Sequence, residues 1–321
     1  MPLTFTDIDF TTDLPDIPRT APVVSHTPPC ARDRDETTRA IAEVLEIDLK
    51  GTAAVPHGYA VGSDRGQVEV FSASGAVRAR NAERLSAYPD ERRRWSEVER
   101  DDDGTFRLGD ALTRDLVDRG RELLHRMGLR DQASAVDVSL GQWSLLDEDG
   151  KEVESGTGRA TVRLSYAAEG VALIGPGAKT NLHLDPDEDG RGVALARMFH
   201  VHRDVATSGE VATRSLEEAF AGLLAQSWSG HGLREGEGRM TITAATFGLL
   251  ALPADVVQTF AAPVLMVEGE VSGVEAGREE TVSVRFGQYL PLAHPKALAE
   301  AGLGGGQLEP GTVVRGRARG A

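Results

Sequence analysis

Cysteine is nearly missing from this sequence: Cys30 is the single one among 321 residues. That excludes an internal disulfide framework and a cysteine-rich zinc site. Long apolar runs are missing too, since none approaches the ~20 residues of a membrane-spanning helix. The opening MPLTFTDIDFTTDLPDIP has neither the basic nor the apolar region of a secretory signal. Positive charge is short. There are 35 Lys and Arg against 50 Asp and Glu, a formal charge of −15, and only four of the cations are Lys. This balance argues against nucleic acid and anionic membrane as main partners. Reaction signatures are missing as well: there is no G-x-S-x-G elbow, no dinucleotide-binding glycine fingerprint and no H-E-x-x-H helix. The expectation is a cytoplasmic protein with no cofactor. A chain of this length buries roughly 75% of its unfolded surface, enough for a full core without staples.

What is present is mostly periodicity. Residues 1–33 carry Pro2, Pro15, Pro18, Pro22, Pro28 and Pro29 and show no apolar period, so they read as a tail. Phe5, Ile8, Phe10 and Leu14 give that tail apolar points that can lie on the body. Three helices are predicted. One runs from about Asp35 to Ile47, with Ile41, Val44 and Leu45 at helical spacing. A second, about 110–127, carries the stripe Leu112, Leu116, Leu123, Leu124 and Met127 and stops at Gly128. A third opens at Ser215, with Glu218 three residues on as a capping box. Elsewhere apolar residues alternate, as half-buried antiparallel strands do. Val68 and Val70 lead through Ser74-Gly75 to Val77 and Ala79. Val136, Val138 and Leu140 form one run, and Val162, Leu164 and Tyr166 another. Val282, Val284, Phe286 and Leu290 close the set. After Pro295 the sequence GLGGGQLEPG reads as flexible.

The order of elements repeats: hairpin, amphipathic helix, strands, then the same again. This predicts an α+β fold of two tandem units, each an antiparallel sheet packed against one long helix. The units span residues 51–170 and 171–295. Residues 1–50 form a tail with a short helix, and 296–321 a flexible end. The hairpin GQVEVFSASGAVRARN resembles the opening hairpin of PepSY-like and YycH/YycI-like domains. The segment VALIGPGAKTNLHLDPDEDGRGVALARMFHVHRDV, followed by the Ser215 helix, resembles that opening hairpin too, and FGLLALPADVVQTFAAPVLMVEGEV is similar to the closing strands of these domains. The resemblance covers about residues 58–292. It implies tandem cystatin-like units and a non-catalytic regulatory or protein-binding role.

Candidate chemistry is sparse. His200 and His202 form an H-V-H on one strand face, with His183 and Asp185 as possible further zinc ligands. If the acidic turn centres near Glu188, His183 pairs near Ala194, and His200 lies on the order of 20 Å away. Asp185, Asp187, Glu188, Asp189 and Gly190 offer oxygen ligands but lack a calcium-loop spacing. No metal is expected at either place. Gly175-Pro176-Gly177-Ala178-Lys179 lacks the phosphate-loop spacing. Polar residues inside apolar stripes are more informative, because a buried polar group without a partner costs about 1–3 kcal/mol. Arg197 is in phase with Val193, Leu195, Phe199 and Val201. Gln288 is in phase with Phe286 and Leu290, and Tyr166 ends the stripe of Val162 and Leu164. Gln142 continues that of Val138 and Leu140, unless a bulge turns Trp143 inward. These five residues are the candidate substrate-binding set.

Two functions follow from different classes. One is a cofactor-independent cyclase or isomerase, holding a small apolar molecule between sheet and helix. The other is a non-catalytic module that binds a protein partner. An enclosed apolar cavity favours the first; a filled core with an open interaction surface favours the second.

Overall fold

The computed structural model describes residues 8–86, 95, 98–101, 105–129, 131–186, 193–225, 239–274, 281–303 and 313–319. In chain order the elements begin with β1 (Ile8–Phe10), β2 (Thr20–His26), α1 (Ala31–Leu45), β3 (Gly51–Val55), β4 (Gly58–Ser63), β5 (Gly66–Phe71) and β6 (Val77–Asn81). Next come α2 (Ala82–Ser86), β7 (Val98–Arg100), β8 (Phe106–Leu108), α3 (Asp110–Arg126), β9 (Ala133–Leu146) and β10 (Glu152–Ala168). These are followed by β11 (Val171–Ile174), β12 (Lys179–Pro186), β13 (Val193–Val201), β14 (Val205–Ala212) and α4 (Leu216–Leu224). The last are β15 (Arg239–Leu250), β16 (Phe260–Ala261), β17 (Pro263–Val274), β18 (Thr281–Pro291), α5 (Pro295–Glu300) and β19 (Val313–Arg319).

Period-two alternation builds the strands. In the β5–β6 hairpin Val70 faces Val77 across a turn that needs Gly75, whose φ is +73°. Val68, Val70, Val77 and Ala79 are all buried on one side. Among the described residues fourteen strands join in one sheet, ordered β19-β18-β17-β15-β11-β10-β12-β13-β6-β5-β4-β3, with β1 on β15 and β9 on β10. Most pairs are antiparallel, but β1 and β11 run parallel to β15. A second sheet has the order β14-β2-β16.

The expectation of two cystatin-like α+β units, each a sheet on one long helix, is overturned. The described chain is 54% strand and 19% helix, and one mixed sheet runs through both halves. The β12–β13 hairpin is the reason. Its place in the chain assigns it to the second unit, yet β12 pairs with β10 and β13 with β6. Leu182, Leu184, Leu195 and Met198 thereby join Val162, Leu164, Val68 and Val70 in one core. Two helices cover that core: α1 through Ile41, Ala42 and Leu45, and α3 through Leu112, Leu116, Leu123 and Leu124. A second core sets Ala219, Phe220 and Leu223 of α4 against β15, β17 and β18. The resemblance to PepSY-like and YycH/YycI-like tandem cystatin-type domains falls with the architecture it implied.

The proline-rich opening also has structure. Ile8 pairs with Met240, and β2 is the middle strand of the second sheet. Opposite β16, β2 pairs only at Val24 and Ser25. Pro22 therefore faces no ladder on that side, where its missing N–H is not needed. At the other end, β19 pairs with β18. Ser215 and Glu218 do form the reciprocal capping box that starts α4. No helix among the described residues is long and apolar enough to cross a membrane.

Candidate functional site

One face of β5, β6, β13, β12 and β10 lies under α1 and α3; the opposite face is where charge collects. Backbone register places Arg80 opposite Arg197, Arg197 opposite His183 and His183 opposite Thr161. The adjacent row runs Glu69, Arg78, Phe199, Asn181, Arg163, Asp137. Arg163 pairs with Asp137 at 3.3 Å, and Arg159 with Asp185 at 2.8 Å. Among the described residues no carboxylate pairs with Arg80 or Arg197. His183 registers the resulting field. Burial first, then the charges of Arg197, Arg159 and Arg163, hold its imidazole down at about 4.

Toward the sheet edge the face is ordered around one carboxylate. Glu69 is 3% exposed. It accepts from Arg78 Nε at 2.8 Å and Nη2 at 2.5 Å, and from His57 Nε2 at 3.0 Å. The carboxylate fixes Nε2 as the protonated nitrogen of His57. The ring of His57 stacks on Phe71 with centroids 4.9 Å apart, and Arg78 lies 5.8 Å from the Phe71 centroid. Next to this group lies an open trough of 310 Å³. Small residues of β3 and β4 line it (Gly51, Thr52, Ala53, Ala60 and Gly62 among them), with Gln67 of β5. Gln67 is the cross-strand neighbour of Arg80, so the trough opens toward the arginines.

The five residues expected to bind substrate do not converge. Arg197 is exposed rather than interior. The β12–β13 ladder shifts register between His183 and Leu184, with Arg197 opposite the first and Leu195 opposite the second. Ala196 is the extra residue, so Leu195 and Arg197 point to opposite faces. The pairing of Asp185 with Ala194 and this bulge together set His183 opposite Arg197, in place of the expected Ala194. Tyr166 is 1% exposed, inside the larger core. Gln142 is exposed and donates to the Phe106 carbonyl at 3.4 Å. Trp143 is half-buried over Gly156 and donates to the Thr157 carbonyl at 3.2 Å. Gln288, half-buried opposite Val267, belongs to β18, four places along the sheet from β10. At strand spacing that is about 19 Å.

Tyr166 instead anchors a buried chain. Its hydroxyl meets Thr180 Oγ1 at 2.6 Å, and Thr180 meets His200 Nδ1 at 2.7 Å. The rings of Tyr166 and His202 are 4.6 Å apart. Burial pushes His200 down to about 3, with His202 adding to it, and pushes the Tyr166 phenol up. His26 is held at about 4 by burial, then by Arg203 and His202. Arg203 is 6% exposed and lowered by burial to about 10. It donates to the carbonyls of Leu252 (3.0 Å), Pro253 (2.8 Å) and Val256 (2.9 Å), tying that segment to β13. Every shift in this cluster favours the neutral form, as burial dictates for a joint between β10, β12 and the end of β13. His183 and His200 lie on opposite faces of the sheet. Among the described residues no three of His, Cys, Asp or Glu group as metal ligands. Residues 187–190 of the acidic turn lie outside the described residues.

Sequence reasoning missed Glu69, Arg78, Arg80 and His57 because it followed only the inward stripes. The signal was V-E-V across from V-R-A-R in one hairpin, whose outward residues alternate in charge. No protein-family model matches the chain, and no curated protein matches it. Among solved structures, the crystal structure of an uncharacterized protein from Eubacterium rectale is similar at a TM-score of 0.42 and 8% identity. The match covers 86% of this chain and 85% of that chain.

Proposed function

We propose that the protein is a non-catalytic cytoplasmic binding module whose arginine-bearing sheet face takes an acidic protein segment. The observation that carries this reading is the register of Arg80 on Arg197 beside His183: among the described residues neither arginine meets a carboxylate, on a chain of net charge −15. A concentrated positive face on an acidic protein steers an acidic partner to one orientation and repels its own surface elsewhere. The trough beside Arg80 gives such a segment room to lie down, and the structured carboxylate at Glu69 sets the edge of the positive zone. The cyclase or isomerase reading, by contrast, finds only Tyr166 of its five expected polar residues buried in the core, where its hydroxyl is taken up by Thr180.

Fluorescence anisotropy with labelled polyglutamate and polylysine tests the proposal. Polyglutamate is expected to bind and to weaken steeply between 50 and 200 mM salt, with polylysine failing to bind the face. Replacing both Arg80 and Arg197 by Ala should weaken polyglutamate by about tenfold, the loss of two exposed charge contacts. Equal binding by wild type and the double variant removes the face from consideration.

A further inference from the structure

The pair Arg80 and Arg197 has an energetic oddity. The two are direct cross-strand partners, which places their Cβ atoms about 5 Å apart. Like charges in that position destabilise a sheet. The neighbouring arginines on the face are each answered: Arg78 by Glu69, Arg163 by Asp137, Arg159 by Asp185. Among the described residues these two are not. His183, opposite Arg197, is neutral and adds no countercharge. Beside them, Asn181 Oδ1 is buried and meets no hydrogen-bond donor.

We propose that Arg80 and Arg197 form a clamp for the phosphate monoester of a phosphorylated partner polypeptide. The proposal rests on the reading of this face as a protein-binding surface. A monoanionic carboxylate leaves one guanidinium charge unanswered, whereas a phosphate monoester carries about −1.5 to −2 and offsets both. Two planar guanidinium forks on adjacent strands bring more N–H donors than one carboxylate can accept, and they suit the three oxygens of a phosphate. The trough continues past Gln67, so the chain that bears the phosphate has a path across β5 and β4.

Arginine Nε–Hε resonances report the site directly. Phenyl phosphate should shift the Arg80 and Arg197 signals saturably, and inorganic phosphate should compete. Benzoate, a monoanion of like size, should bind at least about tenfold more weakly, the loss of one charge-assisted contact. Arg197→Lys keeps the charge on an exposed position and loses the fork; phenyl phosphate affinity should fall about tenfold with the fold intact by circular dichroism. A Gly-Ser peptide with one phosphoserine should bind more tightly than phenyl phosphate, and its unphosphorylated form should not bind. Benzoate binding as tightly as phenyl phosphate, unmoved Arg80 and Arg197 signals, or a single-stranded oligonucleotide outbinding the phosphopeptide would each overturn the clamp. If polyglutamate still binds the face in those cases, the clamp alone has failed; if it does not, the face has failed with it.

Discussion

Acidification gives the sharpest test of the buried joint at His200. Its imidazole is held at about 3 by burial and then by His202, against an ordinary value of 6.5. The folded state therefore stays neutral where the unfolded chain takes up a proton. Unfolding binds protons between those two values, so stability is complete above about 6.5 and falls as the pH drops toward the folded value. From pH 7 to pH 5 the unfolded imidazole goes from mostly neutral to almost wholly charged, and the folded one does not respond. The linked loss is about 2 kcal/mol for this residue. The figure is insensitive to the depth of the shift, because any folded value below about 4 yields nearly the same loss. Urea unfolding of wild type and His200→Gln at pH 7 and pH 5 measures it. The variant loses contacts with Thr180 and starts less stable, but its decline between the two pH values should be about 2 kcal/mol smaller than that of wild type. Equal declines, or an imidazole signal of His200 titrating near 6.5 in the folded protein, would refute the reasoning.

Other perturbations probe the remaining features. Glu69→Gln should cost about 1–3 kcal/mol in thermal or urea unfolding, since Arg78 and His57 lose a charged acceptor, and should raise polyglutamate affinity. Arg203→Met should destabilise by about 3 kcal/mol in the same assay, because the Leu252, Pro253 and Val256 carbonyls lose their donor; an unchanged melting temperature would show that those carbonyls find water. Ser215→Ala should cost about 1 kcal/mol by opening the capping box of α4, measured by urea unfolding beside a Glu217→Ala control.

How far the sequence could be read follows from the range of each signal. α3 and the start of α4 were legible because an apolar stripe and a capping box lie within a few turns of chain. So was the β5–β6 hairpin, where Gly75 marks the turn. Pairing between distant strands left no comparable trace. Val193 to Val201 alternates equally well whether β13 pairs with a strand of its own half or with β6. The single extra residue at Ala196 then reverses the facing of Arg197, and no local pattern announces such a bulge. β2 was hidden by Pro22, whose penalty depends on which side of the strand carries a ladder. The site was hidden for another reason. Glu69, Arg78 and Arg80 occupy outward positions, where polar residues are the ordinary finding and only the assembled sheet shows that their charges share a surface.

The placement of β1 and β2 bears on how the chain reaches this state as it is made. Thr11 bonds to Ile242, 231 positions further along. The partners of β2 lie in β14 and β16. A ribosome adding roughly 5–20 residues per second needs on the order of ten seconds or more to deliver those partners. Throughout that interval the opening strands are without their neighbours, Val23 and Val24 among them, and present apolar edges to the surrounding solution. The many prolines of this segment then acquire a second meaning: they keep a waiting strand from pairing with the wrong edge until β14 and β16 arrive.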